Sequence, residues 1–493
     1  MSSADPGPAR PRRRRRRLLL AALAALLVGA LVTTVLLVLE RREAAPGRTG
    51  GEPGLGDPYF PRAGNSGYDV DRYTIDLDLG AGDGSLTGTT TFVARATQDL
   101  AWFWFDLALD VRAVQVDGAA AAVSRDGATD VRVQPVRPVP VGAEFSVRVE
   151  YAGTPAAVEV DGASPVHQRG AEWSVFGEPE ASAWWFPADD HPSDPALVDV
   201  SVRVPAGVEA VSVGRLASRD TGDEADFDTW HWVAGQPMAT YLAFVSVGPY
   251  RLEEGVQDGR STVYAVSEQL TGRQQRAALD RLRTSGATVR VLETMFGPYP
   301  FTELGGVVPS APLEFGALET QTRPVYDARA ITDADFAPEL LAHELAHQWF
   351  GDQVTLRAWD DVVNSEGWAS WVAWAVVERT GGPSAAAAFE RTYAAARSDR
   401  RIWSVDLTDP GRDHLFDAVY TRGPLALQAL RTLIGDEAFF GLARDWTSRP
   451  ATRSFEEWQV QAQAATAVDL GPYFAAWYQA PTAPEPSPAL GFP

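Results

Sequence analysis

Three regimes of hydrophobic patterning follow one another along the chain. Residues 18–39 read "LLLAALAALLVGALVTTVLLVL" without a charge; as a helix this stretch is about 33 Å long, enough to cross the apolar core of a bilayer. From Tyr68 to about Leu252 the apolar residues come in short runs between turn residues, as in "YTIDLDL", "TTTFVARA", "FSVRVEYAG", "VDVSVRVP" and "YLAFVSVG". That texture predicts an antiparallel β domain. Within it, "AWFWFDLAL" (101–109) reads as a strand covered on both faces. After Val256 the period changes. "GRQQRAALDRLRTSGATVRVLETMF" (272–296) repeats apolar residues at helical spacing, and helices are expected to dominate from Ala337 to about Tyr478.

These regimes imply a domain plan: an Arg-rich cytoplasmic tail at 1–17, a transmembrane signal anchor at 18–39, a Gly/Pro linker at 40–64, a β-rich domain at 65–255, an α+β domain at 256–480 and a Pro-rich, unpacked tail at 481–493. The linker is expected to lift the body off the membrane. The run Arg12–Arg17 before the span holds the short tail in the cytoplasm, so the mass of the chain faces outward. Cleavage of the segment as a signal peptide, giving a secreted protein, is the alternative.

Composition narrows the chemistry. The chain has no cysteine and six histidines, so disulfides and thiolate metal sites are excluded and a transition metal must be held by His and carboxylates. The formal charge is -22 although the first residues are basic. So acidic a body argues against a nucleic-acid partner, which needs a basic surface to neutralise phosphates.

"LLAHELAHQWFGD" (340–352) carries two histidines four apart, on one face of a helix one turn from each other. Pro338 fits the first helical turn and Gly351 the exit. A third ligand is available from "NSEGWASWVAWAVVERTGG" (364–382), where Asn364 or Ser365 would cap a second helix that carries Glu366 in its first turn. Two helices joined by a short connection pack antiparallel, returning Glu366 to His343 and His347. Two His and one carboxylate leave a position for water, as catalytic rather than structural zinc sites do. Glu344, beside the first ligand, is placed to take that water's proton. One Zn2+ ion and hydrolysis of an amide are the expectation.

These residues resemble the aminopeptidase N family of gluzincin zinc metallopeptidases. His347 and Glu366 are separated by residues 348 to 365, the family's spacing; "HQWFGD" is close to its H-x-W-F-G-N and "NSEGWASWV" to its N-E-G-F-A-x-Y. "FGALETQ" (315–321) resembles the G-x-M-E-N motif, which implies that Gly316 and Ala317 line the bound substrate and that Glu319 binds its free α-amine. "YTRGPLALQAL" (420–430) resembles the Y-x-K-G segment, which implies that the Tyr420 hydroxyl stabilises the oxyanion. "FGPYPF" (296–301) and "WFPADDHPSD" (185–194) match as well. Leu318 and Thr320 replace the motif's Met and Asn, and Arg422 replaces Lys. The family's second amine-binding residue, a glutamine, has only Glu178 or Glu180 as a counterpart. Asp361 is a candidate to orient a ligand histidine, with a solvated acid as the other reading; His167, His191, His231 and His414 read as structural.

The resemblance implies a saddle-like β-rich amino-terminal domain followed by an α+β thermolysin-like domain. It implies an aminopeptidase acting on peptides with a free N-terminus, which the uncharged run at 18–39 would tether to the membrane. A zinc endopeptidase of the same fold and a non-catalytic surface binding protein are the alternatives.

Overall fold

A computed structural model describes residues 49–79, 84–160, 162–220 and 226–492. The expected tail at 1–17 and anchor at 18–39 lie outside them. Among the described residues no helix is long and apolar enough to cross a membrane.

The alternating runs form strands whose buried positions recur every second residue, as in Tyr68–Asp78 and Leu197–Pro205. They assemble an eight-stranded sheet in the order 215–220, 227–233, 197–205, 68–78, 86–96, 144–153, 110–116 and 119–120. One pairing departs from the antiparallel expectation: Tyr68–Asp78 runs parallel to Leu197–Pro205, with Ile75 opposite Val200. A parallel pair needs a long crossover, and residues 79–196 supply one that holds most of the remaining strands. "AWFWFDLAL" contains the strand Phe103–Asp106, with Phe103, Phe105 and Leu107 fully buried.

A four-stranded sheet, ordered 209–212, 245–248, 172–175 and 166–169, brings His167 and the residues just after its strand 172–175 to the cleft described below. The five-stranded sheet, ordered 250–257, 260–267, 303–308, 325–326 and 317–318, ends on the short edge strand Ala317–Leu318. Helices α1 (Gly272–Leu282), α2 (Ser285–Phe296), α3 (Ala337–His347), α4 (Trp368–Arg379) and α5 (Val419–Ile434) follow from the helical texture. Apolar packing does not divide at residue 255: the core of the β-rich part also takes in Val307, Leu356 and Trp359. The chain from Gly50 onward is one compact unit.

Two expectations are corrected. The Gly/Pro segment at 50–64 is no spacer. Asp57 accepts the backbone N–H of Trp359 (2.8 Å) and lies 3.2 Å from His191 Nε2, while Phe60 packs edge-on against Trp359 and reaches the cleft. The Pro-rich tail is packed too: Phe492 stacks on Trp477 and meets Tyr393 edge-on, and the Trp477 indole N–H donates to Leu490 O (2.8 Å). In each case a few aromatic and acidic anchors outweigh a composition that reads as loop.

Candidate active site

Helix α3 buries Leu341 and Leu345 on one side, and its opposite stripe floors a cleft of about 860 Å³. Pro338 sits in its first turn, as expected. The stripe contains Leu340, His343, Glu344 and His347. Beyond the helix, Gly351 adopts φ +126°, and a β-carbon there would lie 2.6 Å from Ser365 Oγ and 3.3 Å from His347 Nδ1. Glycine at this exit therefore makes room for the contact that holds His347. The His347 Nδ1–H points at Phe350 O (3.0 Å) and Ser365 Oγ (2.9 Å), and the serine hydroxyl donates to Phe350 O. With Nδ1 carrying the proton, the Nε2 lone pair faces the cleft.

Glu366 arrives by a different local structure from the expected one. Residues Val363–Gly367 form a wide π turn that runs into α4, and neither Asn364 nor Ser365 caps a helix. The wide turn inserts an extra residue and re-aims the side chain, and Ser365 is spent on His347 instead. The turn lies against α5 at two glycines: a β-carbon on Gly423 would come within 2.6 Å of Gly367 Cα. That close approach brings the Tyr420 hydroxyl to 3.0 Å from Glu366 Oε1, to which it donates. Arg422 is fully buried and donates to the carbonyls of Trp477, Trp403 and Val405, so its role is to hold the carboxy-terminal segment in place.

His343 Nε2, His347 Nε2 and Glu366 Oε2 form a triangle with sides of 3.1, 3.1 and 3.4 Å. Tetrahedral bonds of 2.0–2.1 Å to a common zinc would separate donors by about 3.3–3.4 Å, so the donor set fits the ion by type and by spacing. The field fits as well. Burial alone would make His347 less basic, yet the carboxylates of Glu319 and Glu366 push it well up. Burial would raise Glu366, but the two imidazoles hold it well below the usual carboxylate range. The centre is built for positive charge. Glu344 is buried and its carboxyl is held well above the ordinary range by loss of water, against the pull of His347. A carboxyl whose hold on a proton is strengthened in this way is suited to accept one and return it.

At the other end of the floor stands Glu319, 3% exposed, just beyond the edge strand. Carboxylate oxygens of Glu319 and Glu344 and a His347 nitrogen lie within 4.8 Å of one another. Tyr241 donates its hydroxyl to Glu319 Oε1 (3.1 Å), and Gln348 donates to the Glu319 carbonyl (3.1 Å) while accepting from Thr322 N (2.8 Å). Glu178 also lines the cleft, and loss of water with the neighbouring Glu319 charge pushes its carboxyl well up. Two carboxyls facing one space suit a cation between them. Ala317 lines the cleft; Gly316, at φ +92°, turns the chain into the edge strand, its carbonyl accepting from Asp327 N (2.7 Å).

Two sequence readings are revised here. Asp361 accepts from Phe455 N (2.6 Å) and Ala358 N (3.2 Å), so it ties a turn to a helix start and does not orient a histidine. His167 is no remote structural residue, because it lines the cleft. Tyr241 lies outside the motifs, and Gln348 and Ser365 lie inside them without these roles; the roles of all three emerge only from the contacts. Asp352, buried beside Glu319 and His347, also went unmarked, and both its carboxyl oxygens lack a hydrogen-bond partner.

Residues 288–468 match the peptidase family M1 domain. The chain is 28% identical over 322 residues to an aminopeptidase N of Acetobacter pasteurianus, covering 61% of this chain and 88% of that protein. It is 26% identical over 273 residues to aminopeptidase M1-B of Oryza sativa subsp. japonica, covering 52% of this chain and 30% of the relative. The chain thus spans about a third of the rice protein's length. Among solved structures, the M1 zinc metallopeptidase of Deinococcus radiodurans superposes with a TM-score of 0.77 at 29% identity, covering 88% of this chain and all of that one in its complex with a Tyr-Ser-Ala substrate.

Proposed function

We propose that this chain, which carries a peptidase family M1 domain, is a zinc-dependent aminopeptidase that removes the first residue from peptides with a free N-terminus. The observation that carries the reading is the short distance between the buried Glu319 carboxylate and the pair Glu344 and His347, all within 4.8 Å. In a peptide the α-nitrogen lies only about 2.5 Å from its own carbonyl carbon. An ammonium held by Glu319 therefore brings the first carbonyl, and no later one, to Glu344. Aminopeptidase relatives and the peptide-bound structural neighbour support the same reaction.

His343, His347 and Glu366 would hold the zinc, which when bound polarises the scissile carbonyl and acidifies water. The chain's own groups do the rest. Glu319 and Glu178 grip the ammonium by charge-assisted hydrogen bonds. Glu344 takes the proton of the attacking water and hands it to the departing amine. The Tyr420 hydroxyl, now donated to Glu366, turns toward the oxyanion as negative charge develops on it. Ser365 and the Phe350 carbonyl keep the His347 ring fixed throughout.

The proposed setting is extracytoplasmic, with residues 18–39 as the tether; its support is the uncharged run after Arg12–Arg17. The reaction is tested by offering one peptide with a free and with an acetylated N-terminus. Loss of cleavage on acetylation is expected. Equal cleavage of both would establish an endopeptidase, and cleavage of neither, with zinc bound, a binding protein.

A further inference from the structure

Residues 54–64 close on themselves as a loop: the Gly54 N–H donates to Gly64 O (2.8 Å) and the Leu55 N–H to Ala63 O (3.1 Å). Asp57 builds the inner turn, its Oδ1 accepting from Tyr59 N (2.8 Å) and Phe60 N (2.9 Å). The second carboxylate oxygen leaves the loop, accepting from Trp359 N (2.8 Å) and lying 3.2 Å from His191 Nε2. From there a line of rings leads to the amine end of the cleft. Phe60 meets Trp359 edge-on (6.1 Å, 76°), Trp359 meets Tyr241 edge-on (5.3 Å, 62°), and the Tyr241 hydroxyl donates to Glu319 Oε1 (3.1 Å). We infer that Asp57, Phe60 and Trp359 are positioning residues for the amine anchor, acting on Glu319 through Tyr241, an assignment that rests on the aminopeptidase reading above.

Each link is fixed by a different force. The Asp57 side chain is fully buried; burial alone would raise its carboxyl, but His191 and the N–H groups of Trp359, Phe60 and Tyr59 hold it below the ordinary range. A buried carboxylate satisfied in this way ties the loop firmly to the Trp359 backbone. The Trp359 indole N–H is buried without a hydrogen-bond partner among the described residues, so packing against Phe60 and Tyr241 sets the plane of its ring. The loop is stitched on its other side as well. Tyr59 donates its hydroxyl to Asp409 (2.7 Å) and accepts from Gly411 N (3.1 Å), and the Arg412 guanidinium lies over the Phe60 ring (5.1 Å).

A glutamate side chain left to itself presents its oxygens in many orientations, and holding one of them still makes capture of an ammonium cheaper in entropy. Tyr241 occupies Oε1 and leaves the other oxygen of Glu319 to the amine. The turn Thr240–Leu242 is anchored separately, with Thr240 Oγ1 donating to Asp190 (2.7 Å) and Thr240 O accepting from Ser182 Oγ (2.8 Å). Loss of the loop contact would therefore loosen the Tyr241 ring without displacing its backbone. A rival role is support of the metal end, because Val362 N donates to Trp359 O (3.3 Å) and Glu366 N to Val362 O (3.0 Å). The two roles differ in what they disturb: amine binding in one case, zinc retention in the other.

The test uses the zinc-loaded full chain and the fluorogenic amides of Leu and Arg, each free and N-acetylated, with kcat and KM read separately. Asp57→Asn keeps an acceptor for the loop's own turn but points an amide N–H at Trp359 N. It should raise KM about threefold with kcat changed by less than about twofold, and zinc content should stay stoichiometric. In the Tyr241→Phe background, where the link to Glu319 is already cut, the same change should raise KM no further. Should Asp57→Asn fail to fold, Phe60→Leu enters the same cycle, with Phe60→Tyr restoring the parent KM. Additive rises in KM, a loss confined to kcat, unchanged kinetics or loss of zinc would overturn the assignment while leaving the aminopeptidase reading intact. Equal hydrolysis of free and acetylated amides by the parent chain, or hydrolysis of none, would instead remove that reading and the positioning role with it.

Discussion

The two ends of the cleft floor are built in different ways. At the proposed metal end, two candidate ligands stand one turn apart on α3 and the third sits in the π turn that leads into α4, so most of the geometry is local. At the amine end three segments far apart in sequence converge: Glu319 beyond an edge strand, Glu178 beyond a strand of another sheet, and Tyr241 from the short turn Thr240–Leu242. Helical periodicity secures the first arrangement almost regardless of what surrounds it. The second exists only once the β-rich part has packed against the helical part. The metal end should therefore be chemically indispensable and mechanically robust, and the amine end graded and tunable.

Substitutions can break or sharpen that contrast. The largest effect is expected for Glu344→Gln, which removes the proton carrier but no ligand: kcat should fall by about 10³-fold or more while zinc content, measured by elemental mass spectrometry, stays stoichiometric. Tyr420→Phe comes next, with kcat down by about 10²-fold and KM nearly unchanged, because the hydroxyl acts only as charge develops. Glu319→Gln should cost about ten- to a hundredfold in kcat/KM, and it should narrow the gap between free and acetylated peptides, which the ligand-end variants leave wide. Ser365→Ala should weaken zinc affinity by about tenfold in a chelator competition, since it frees the His347 ring without removing a donor. The smallest effect is Tyr241→Phe, a few-fold rise in KM from the loss of one hydrogen bond to Glu319. If Tyr241→Phe cost more than Tyr420→Phe, the division into an indispensable end and a tunable end would be wrong.

The same contrast explains what was legible in the sequence. His343, Glu344 and His347 follow from a four-residue spacing on an unbroken apolar helix. Glu366 follows from a second helix, although the π turn that aims it does not, because a widened turn leaves no mark in the hydrophobic period. Glu319 and Tyr420 were legible through motif resemblance alone. Tyr241 carries no local signal, and the motif around Gln348 does not reveal its role, since their partners lie at residues 319 and 322 and the contacts are made in three dimensions. The packing of residues 50–64 and of Phe492 was missed for a related reason: a Gly/Pro-rich string reports backbone propensity, whereas Asp57, Phe60 and Phe492 each find a buried partner elsewhere in the fold.

The central claim is that His343, His347 and Glu366 together bind one catalytic zinc. Its most direct test is the metal content of the purified protein and of Glu366→Ala, each assayed before and after treatment with a chelator. About one zinc per chain is expected in the parent protein, with activity that vanishes on chelation and returns with added Zn2+, and little bound metal in Glu366→Ala. Full peptide hydrolysis by metal-free protein, or stoichiometric zinc in Glu366→Ala, would contradict it.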